Sequence, residues 1–235
     1  ALIGWDAFAA VYLALAYAMA ALSVGGLAAY GGGAWLWLLW LSGALALVAA
    51  IYLLLDAEAF GKRADGSLPL AVCCLLGPYL LCAWLNSRGW TRQLAMADPV
   101  TAGVLLGRLP TAAEGQRLGI TVIVDVCAEL PCPTPALRHT VIPMLDLVPP
   151  SLEQIEHASA AIAEARAAGP VLVCCALGFA RSALVAAAWL LRAGIAATTE
   201  EAVAQVQKAR PAVVLGPPQI DLLRCWQQQY LQPKS

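Results

Sequence analysis

The sequence predicts a membrane-anchored chain in two parts: N-terminal transmembrane helices over residues 1–90, then a water-soluble α/β domain over residues 98–235. Three observations point there. Of 235 residues, 61% are hydrophobic and only 12% are charged, far from the balance of an average soluble domain. The charge is also unevenly placed, with none over residues 7–55 and none over residues 66–87. From about Asp98 onward, short β-rich runs alternate with helical patterns. A net charge of −1 offers no general attraction for nucleic acid or for acidic substrates.

The first charge-free stretch holds two apolar runs, about residues 7–22 and 34–55, separated by the small, flexible segment 23–33. The second holds one run, about residues 68–85. A helix needs about 20 apolar residues to cross a bilayer, so about three spans are expected. A signal peptide would account for the first run alone, and that run lacks a basic start. Trp35, Trp37, Trp40, Tyr52, Tyr79, Trp84 and Trp90 fall mostly near the ends of the runs, as interfacial anchors do. Lys62 and Arg63 in the second loop balance Arg88 and Arg92 after the last run, so charge alone does not orient the chain.

In the second part, strands are expected at residues 103–107, 121–126, 140–144 and 171–174. Ser151 with Gln154 forms a capping box that opens a helix running to Gly169. Thr198 with Glu201 forms another, opening a helix that stops before Pro211. Strands alternating with helices predict a mainly parallel sheet covered on both faces.

The pattern Cys, five residues, Arg occurs three times, from Cys82 to Arg88, from Cys132 to Arg138 and from Cys175 to Arg181. Only the third follows a strand, carries a glycine at its fourth position and leads through a hydroxyl into an apolar helix closed by Gly194. A tight loop between a strand and a helix start turns successive N–H groups of Ala176, Leu177, Gly178, Phe179 and Ala180 inward as an anion nest, and the helix dipole reinforces it. Gly178 permits a backbone shape that a Cβ would oppose. Arg181 can grip two phosphoryl oxygens with its planar fork. At such an electropositive point the thiol of Cys175 is expected to drop from about 8.5 into the range of roughly 3.5 to 7.5, and so to act as a thiolate nucleophile. Ser182 can donate a hydrogen bond to that sulfur and help it leave.

The stretch from Val171 to Ala183 resembles the signature loop of the protein tyrosine and dual-specificity phosphatase superfamily. Leu106 to Pro110, Val122 to Glu129, Val141 to Pro150 and Ala209 to Gly216 extend the likeness, which is greatest to the short dual-specificity branch. With its membrane part, the whole resembles bacterial membrane-anchored members. The resemblance implies an α/β dual-specificity-phosphatase-like domain in which Cys175 attacks phosphorus to give a cysteinyl phosphate and Arg181 holds the equatorial oxygens. Asp146 falls where the family keeps its general acid.

Independently, Asp146 lies in an apolar segment just before Pro149 and Pro150, on a loop able to fold over the site. A leaving alkoxide or phenoxide needs a proton, and the same carboxylate can then activate water. The competing role is capping of the Ser151 helix. Asp125 and Glu129 are weaker candidates, read as strand-end and hydrogen-bonding residues. His139 and His157 lack ligand spacing, so neither a metal nor a cofactor is expected. Cys174 stands where the family usually has His, and is either an inert buried residue or a redox partner.

A working thiolate fits the cytosol, which places the catalytic domain on the cytoplasmic face of the cell inner (plasma) membrane and, with three spans, the amino end outside. The expected partners are the lipid bilayer and a phosphorylated substrate, either a membrane-proximal phosphoprotein or a phospholipid headgroup. A catalytically weak phosphate sensor is the alternative that Cys174 raises.

Overall fold

The computed structural model describes residues 3–231, apart from Pro133, Pro135 and Ala136. Helix α1 covers Ile3–Gly31 and α2 covers Leu38–Leu54, joined by the 3-10 turn Gly33–Trp37. The segment expected to be flexible is therefore helical almost to its end. Its small residues serve close packing instead: a Cβ on Gly25 would sit 2.9 Å from the hydroxyl of Ser42 on α2, and that hydroxyl donates to the carbonyl of Ala21.

Among the described residues, two helical stretches rather than the expected three are long and apolar enough to cross a bilayer, Phe8–Gly31 and Gly33–Leu54. The third apolar run is broken at Leu76 into α3 (Leu70–Leu75) and α4 (Gly77–Thr91), where Pro78 has no N–H to continue the ladder. Both ends of that run touch the α/β domain. Before it, Lys62 Nζ lies 2.6 Å from Asp125. After it, Ser87 and Arg88 donate to the carbonyls of Ala176 and Leu109. The run thus leaves the domain and returns to it. Ala9, near the start of α1, borders the same cavity as Cys175.

The α/β domain is built from β1 (Ala97–Thr101), β2 (Val104–Arg108), α5 (Ala112–Arg117), β3 (Val122–Cys127), β4 (Arg138–Met144), α6 (Leu152–Ala168), β5 (Val171–Cys175), α7 (Arg181–Arg192), α8 (Thr199–Ala209) and α9 (Pro217–Tyr230). The sheet order is β1-β2-β5-β3-β4, with β1 antiparallel to β2 and every other pair parallel. Every residue of β3 and β5 is buried, so the centre of the sheet is covered on both faces, as expected. The unexpected strand β1 contains Pro99, tolerated because an edge strand has one side without ladder partners. Helix α7 is buried from Arg181 to Leu191 and forms the centre of the domain core. A second core cluster joins Val48, Ile51 and Tyr52 of α2 and Phe60 to Ala128 and Leu145, so the helical part packs directly on the α/β domain.

Candidate active site

Strand β5 ends at Cys175 and α7 begins at Arg181, which places both at the two ends of one tight loop. Gly178 has φ 75°, and a Cβ there would fall 2.5 Å from the carbonyl carbon of Gly107 on β2. Only glycine fits at that approach. Three loop carbonyls are held from outside. Ser87 Oγ donates to Ala176 at 2.5 Å, Arg210 Nε to Gly178 at 3.1 Å, and the Val214 N–H to Phe179 at 2.9 Å. Arg210 is itself anchored by Asp98 at 2.5 Å. With these carbonyls engaged, the Gly178 N–H donates to the sulfur of Cys175 at 3.3 Å, and Ser182 Oγ donates to it at 3.2 Å. Two hydrogen bonds aimed at one sulfur suit a thiolate.

Arg181 is buried and almost saturated. Nη1 donates to Glu129 Oε2 and to the Met144 carbonyl, both at 2.8 Å. Nη2 reaches Glu129 Oε1 at 2.7 Å and Asp146 Oδ1 at 3.0 Å. Its Nε is buried without a partner among the described residues, leaving a donor for an anion in the loop. Burial alone would lower the basicity of Arg181 and raise the pKa of Glu129. The opposite charges outweigh it, holding the guanidinium above and the Glu129 carboxyl below their ordinary ranges. Glu129, read from the sequence only as a hydrogen-bonding residue, is thus the forked partner of Arg181. An acid two residues beyond an apolar strand was the available signal, because such a group is buried only when paired.

Asp146 occupies the turn after β4, beside Leu147, whose φ of 59° is the one positive value among described non-glycine residues. The Asp146 carboxylate reaches Arg181 rather than α6, whose N-terminus is closed by Ser151 and Gln154 alone. Its surroundings desolvate the carboxyl and push its pKa up; Arg181 opposes the shift and the nearby charge of Glu129 adds to it.

A cavity of about 430 Å³ stands over Cys175 and Arg181, with Asp146, Leu177, Phe179 and Ala180 in its wall. Ala176 instead faces a second cavity of about 270 Å³, shared by Tyr17, Tyr79, Asn86, Glu129 and Asp146. Cys82 lies exposed on α4 and Cys132 buried in a loop, neither at a strand–helix junction. His139 bonds Thr134 at 2.7 Å, and His157 is exposed on α6. Cys174 is fully buried opposite Asp125. Burial, a hydrogen bond with Cys132 and the charge of Asp125 push its thiol well up, which suits packing.

A sulfur held by two donors, an arginine with a free N–H and an aspartic acid at the rim are the parts of a cysteine-dependent phosphatase. Residues 105–229 match the family described as dual specificity phosphatase, catalytic domain, and the chain belongs to that family. Among solved structures, human DUSP28 is 26% identical over 59% of this chain and 97% of its own, with a TM-score of 0.51. Tk-PTP in the active form, 24% identical over 58% of this chain and 99% of its own, shares the fold with a TM-score of 0.52. PTPMT1 in complex with PI(5)P, 21% identical over 57% of this chain and 96% of its own, does so with the same score. A search of curated proteins found no match. The protein is therefore a phosphatase of the dual-specificity type that acts on phosphorylated substrates.

Proposed function

We propose that this chain hydrolyses phosphomonoesters at a membrane surface, on a phosphoprotein or a phospholipid headgroup, through a cysteinyl-phosphate intermediate. The observation that carries this reading is the sulfur of Cys175, held by the Gly178 N–H and the Ser182 hydroxyl at the floor of a loop that ends in Arg181. The Cys175 thiolate attacks phosphorus and the ester P–O bond breaks, while Asp146 gives its proton to the departing oxygen. The N–H groups from Ala176 to Arg181 and the guanidinium hold the phosphoryl oxygens. An arriving phosphoryl dianion repels the Asp146 carboxylate from its place on Arg181 and favours its protonated form. Water then attacks phosphorus, Asp146 takes its proton, the P–S bond breaks, and Ser182 steadies the returning thiolate.

The membrane setting is supported by α1 and α2, read as a hairpin that spans the bilayer in two passes. Among the described residues, the exposed large apolar side chains lie within residues 8–94, except Leu147, Ile195 and Val214. The inner (plasma) membrane with a cytoplasmic catalytic domain suits a thiolate enzyme. The test is rapid quench of the full chain in detergent with radiolabelled p-nitrophenyl phosphate. The parent is expected to retain label on the protein and turn over, and Cys175→Ser to do neither. Retained label in Cys175→Ser would sink the assignment, as would comparable losses of turnover in Cys82→Ser or Cys132→Ser.

A further inference from the structure

We infer that the substrate is a lipid phosphomonoester bearing a single phosphate, whose apolar chain leaves the site between α1 and a rim formed by Leu147 and Val214. The inference rests on the phosphomonoesterase reading above and names its substrate class. Apart from Cys175, Arg181 and Asp146, the cavity over the loop is walled mainly by apolar side chains, including Val148, Pro149, Pro150 and Leu184, with Gln219 as a further polar side chain. A phosphopeptide would bring its backbone N–H and C=O groups against that wall, where they lose water and gain few partners. An acyl or isoprenoid chain loses nothing there.

The position of the opening agrees. Ala9, one residue into the long apolar stretch that begins at Phe8, forms part of the cavity wall, and its small side chain leaves room beside the helix. Leu147 is 73% exposed and Val214 65%, while Phe8 and Tyr12 on α1 are 71% and 67% exposed. Apolar side chains around a catalytic opening are unfavourable in water and favourable against lipid. The charge count sets the headgroup. Arg181 is the one basic side chain in the wall among the described residues, and Glu129 and Asp146 already engage it. Further phosphates on an inositol ring would find no cation there.

The experiment uses the full chain in mixed micelles with five probes: dioleoyl phosphatidic acid, a phosphatidylinositol bisphosphate, a phosphotyrosine peptide, a phosphoserine peptide, and p-nitrophenyl phosphate. Phosphatidic acid is expected to exceed the peptides in kcat/KM by about tenfold or more, the scale on which apolar pocket contacts discriminate. Ala9→Trp and Val214→Asp should each lower the ratio of phosphatidic acid to p-nitrophenyl phosphate turnover, with melting curves confirming that the variants fold. Preference for either peptide overturns the lipid assignment and leaves the phosphomonoesterase reading intact. Preference for the bisphosphate overturns the single-phosphate assignment, and an unchanged ratio in both variants overturns the route past α1. No turnover of p-nitrophenyl phosphate by a folded parent overturns the underlying reading and the inference with it.

Discussion

Arg181 holds two carboxylates with one guanidinium, and they do different work. Glu129 is buried and locked by two bonds, whereas the Asp146 side chain keeps 39% of its exposure and can swing toward a leaving group. Desolvation, with the charge of Glu129, holds the Asp146 carboxyl above the ordinary aspartate range. In its proposed role as general acid Asp146 must be protonated, so turnover is expected to fall as pH rises through that pKa. Asp146→Asn is expected to lower kcat by about 10² to 10⁴ and to abolish this alkaline decline. The loss should shrink for a leaving group that needs no proton. An equal loss for good and poor leaving groups, with the alkaline limb retained, would assign Asp146 a structural role. The loop cysteine, the arginine and the hydroxyl were legible because they share one short stretch with a strand before it and an apolar helix after it. Ser87 and Arg210 were not, and Glu129 only as a hydrogen-bonding residue without its partner, because they come from three distant segments and meet the loop only once the chain is folded.

At the scale of elements, what was legible was what is local. The caps of α6 and α8 stand as the capping boxes predicted. A third box, Thr111 with Glu114, closes the N-terminus of α5; Arg108 binds its glutamate and draws that carboxyl down to about 2. It opens a helix of only six residues, too short for an apolar period to mark. The edge strand β1 was hidden by Asp98 and Pro99, residues that strands usually avoid. The loop from β5 to α7 is shaped by Gly178, whose left-handed backbone lies against β2. Gly178→Ala is expected to cost about 1 to 3 kcal/mol in strain and to remove most turnover, because the loop must move off Gly107. Thermal melting beside p-nitrophenyl phosphate kinetics checks this. A variant with unchanged melting and full turnover would show that the approach to Gly107 does not shape the site.

For the whole molecule, the helical part and the α/β domain share one structure, which hydropathy alone did not reveal. Three apolar runs of sufficient length suggested three passes; Pro78 marked the break in the third locally, but the contacts on both sides of that run are matters of tertiary packing. Lys62 carries the clearest tie, its side chain wholly buried with that of Asp125. Burial would lower its basicity, but the charge of Asp125 outweighs it and holds the ammonium above the usual lysine range, so the pair is intact at neutral pH. Lys62→Met leaves Asp125 buried and unpaired, and is expected to cost about 3 to 5 kcal/mol. Adding Asp125→Asn should recover much of that loss in detergent unfolding; a double variant no better than Lys62→Met would refute the charge argument. Ser87 on α4 meanwhile holds the Ala176 carbonyl of the catalytic loop. A chain whose helices are not docked has neither the partner of Asp125 nor that brace, so the packing of the helical part and the shape of the catalytic loop are tied together.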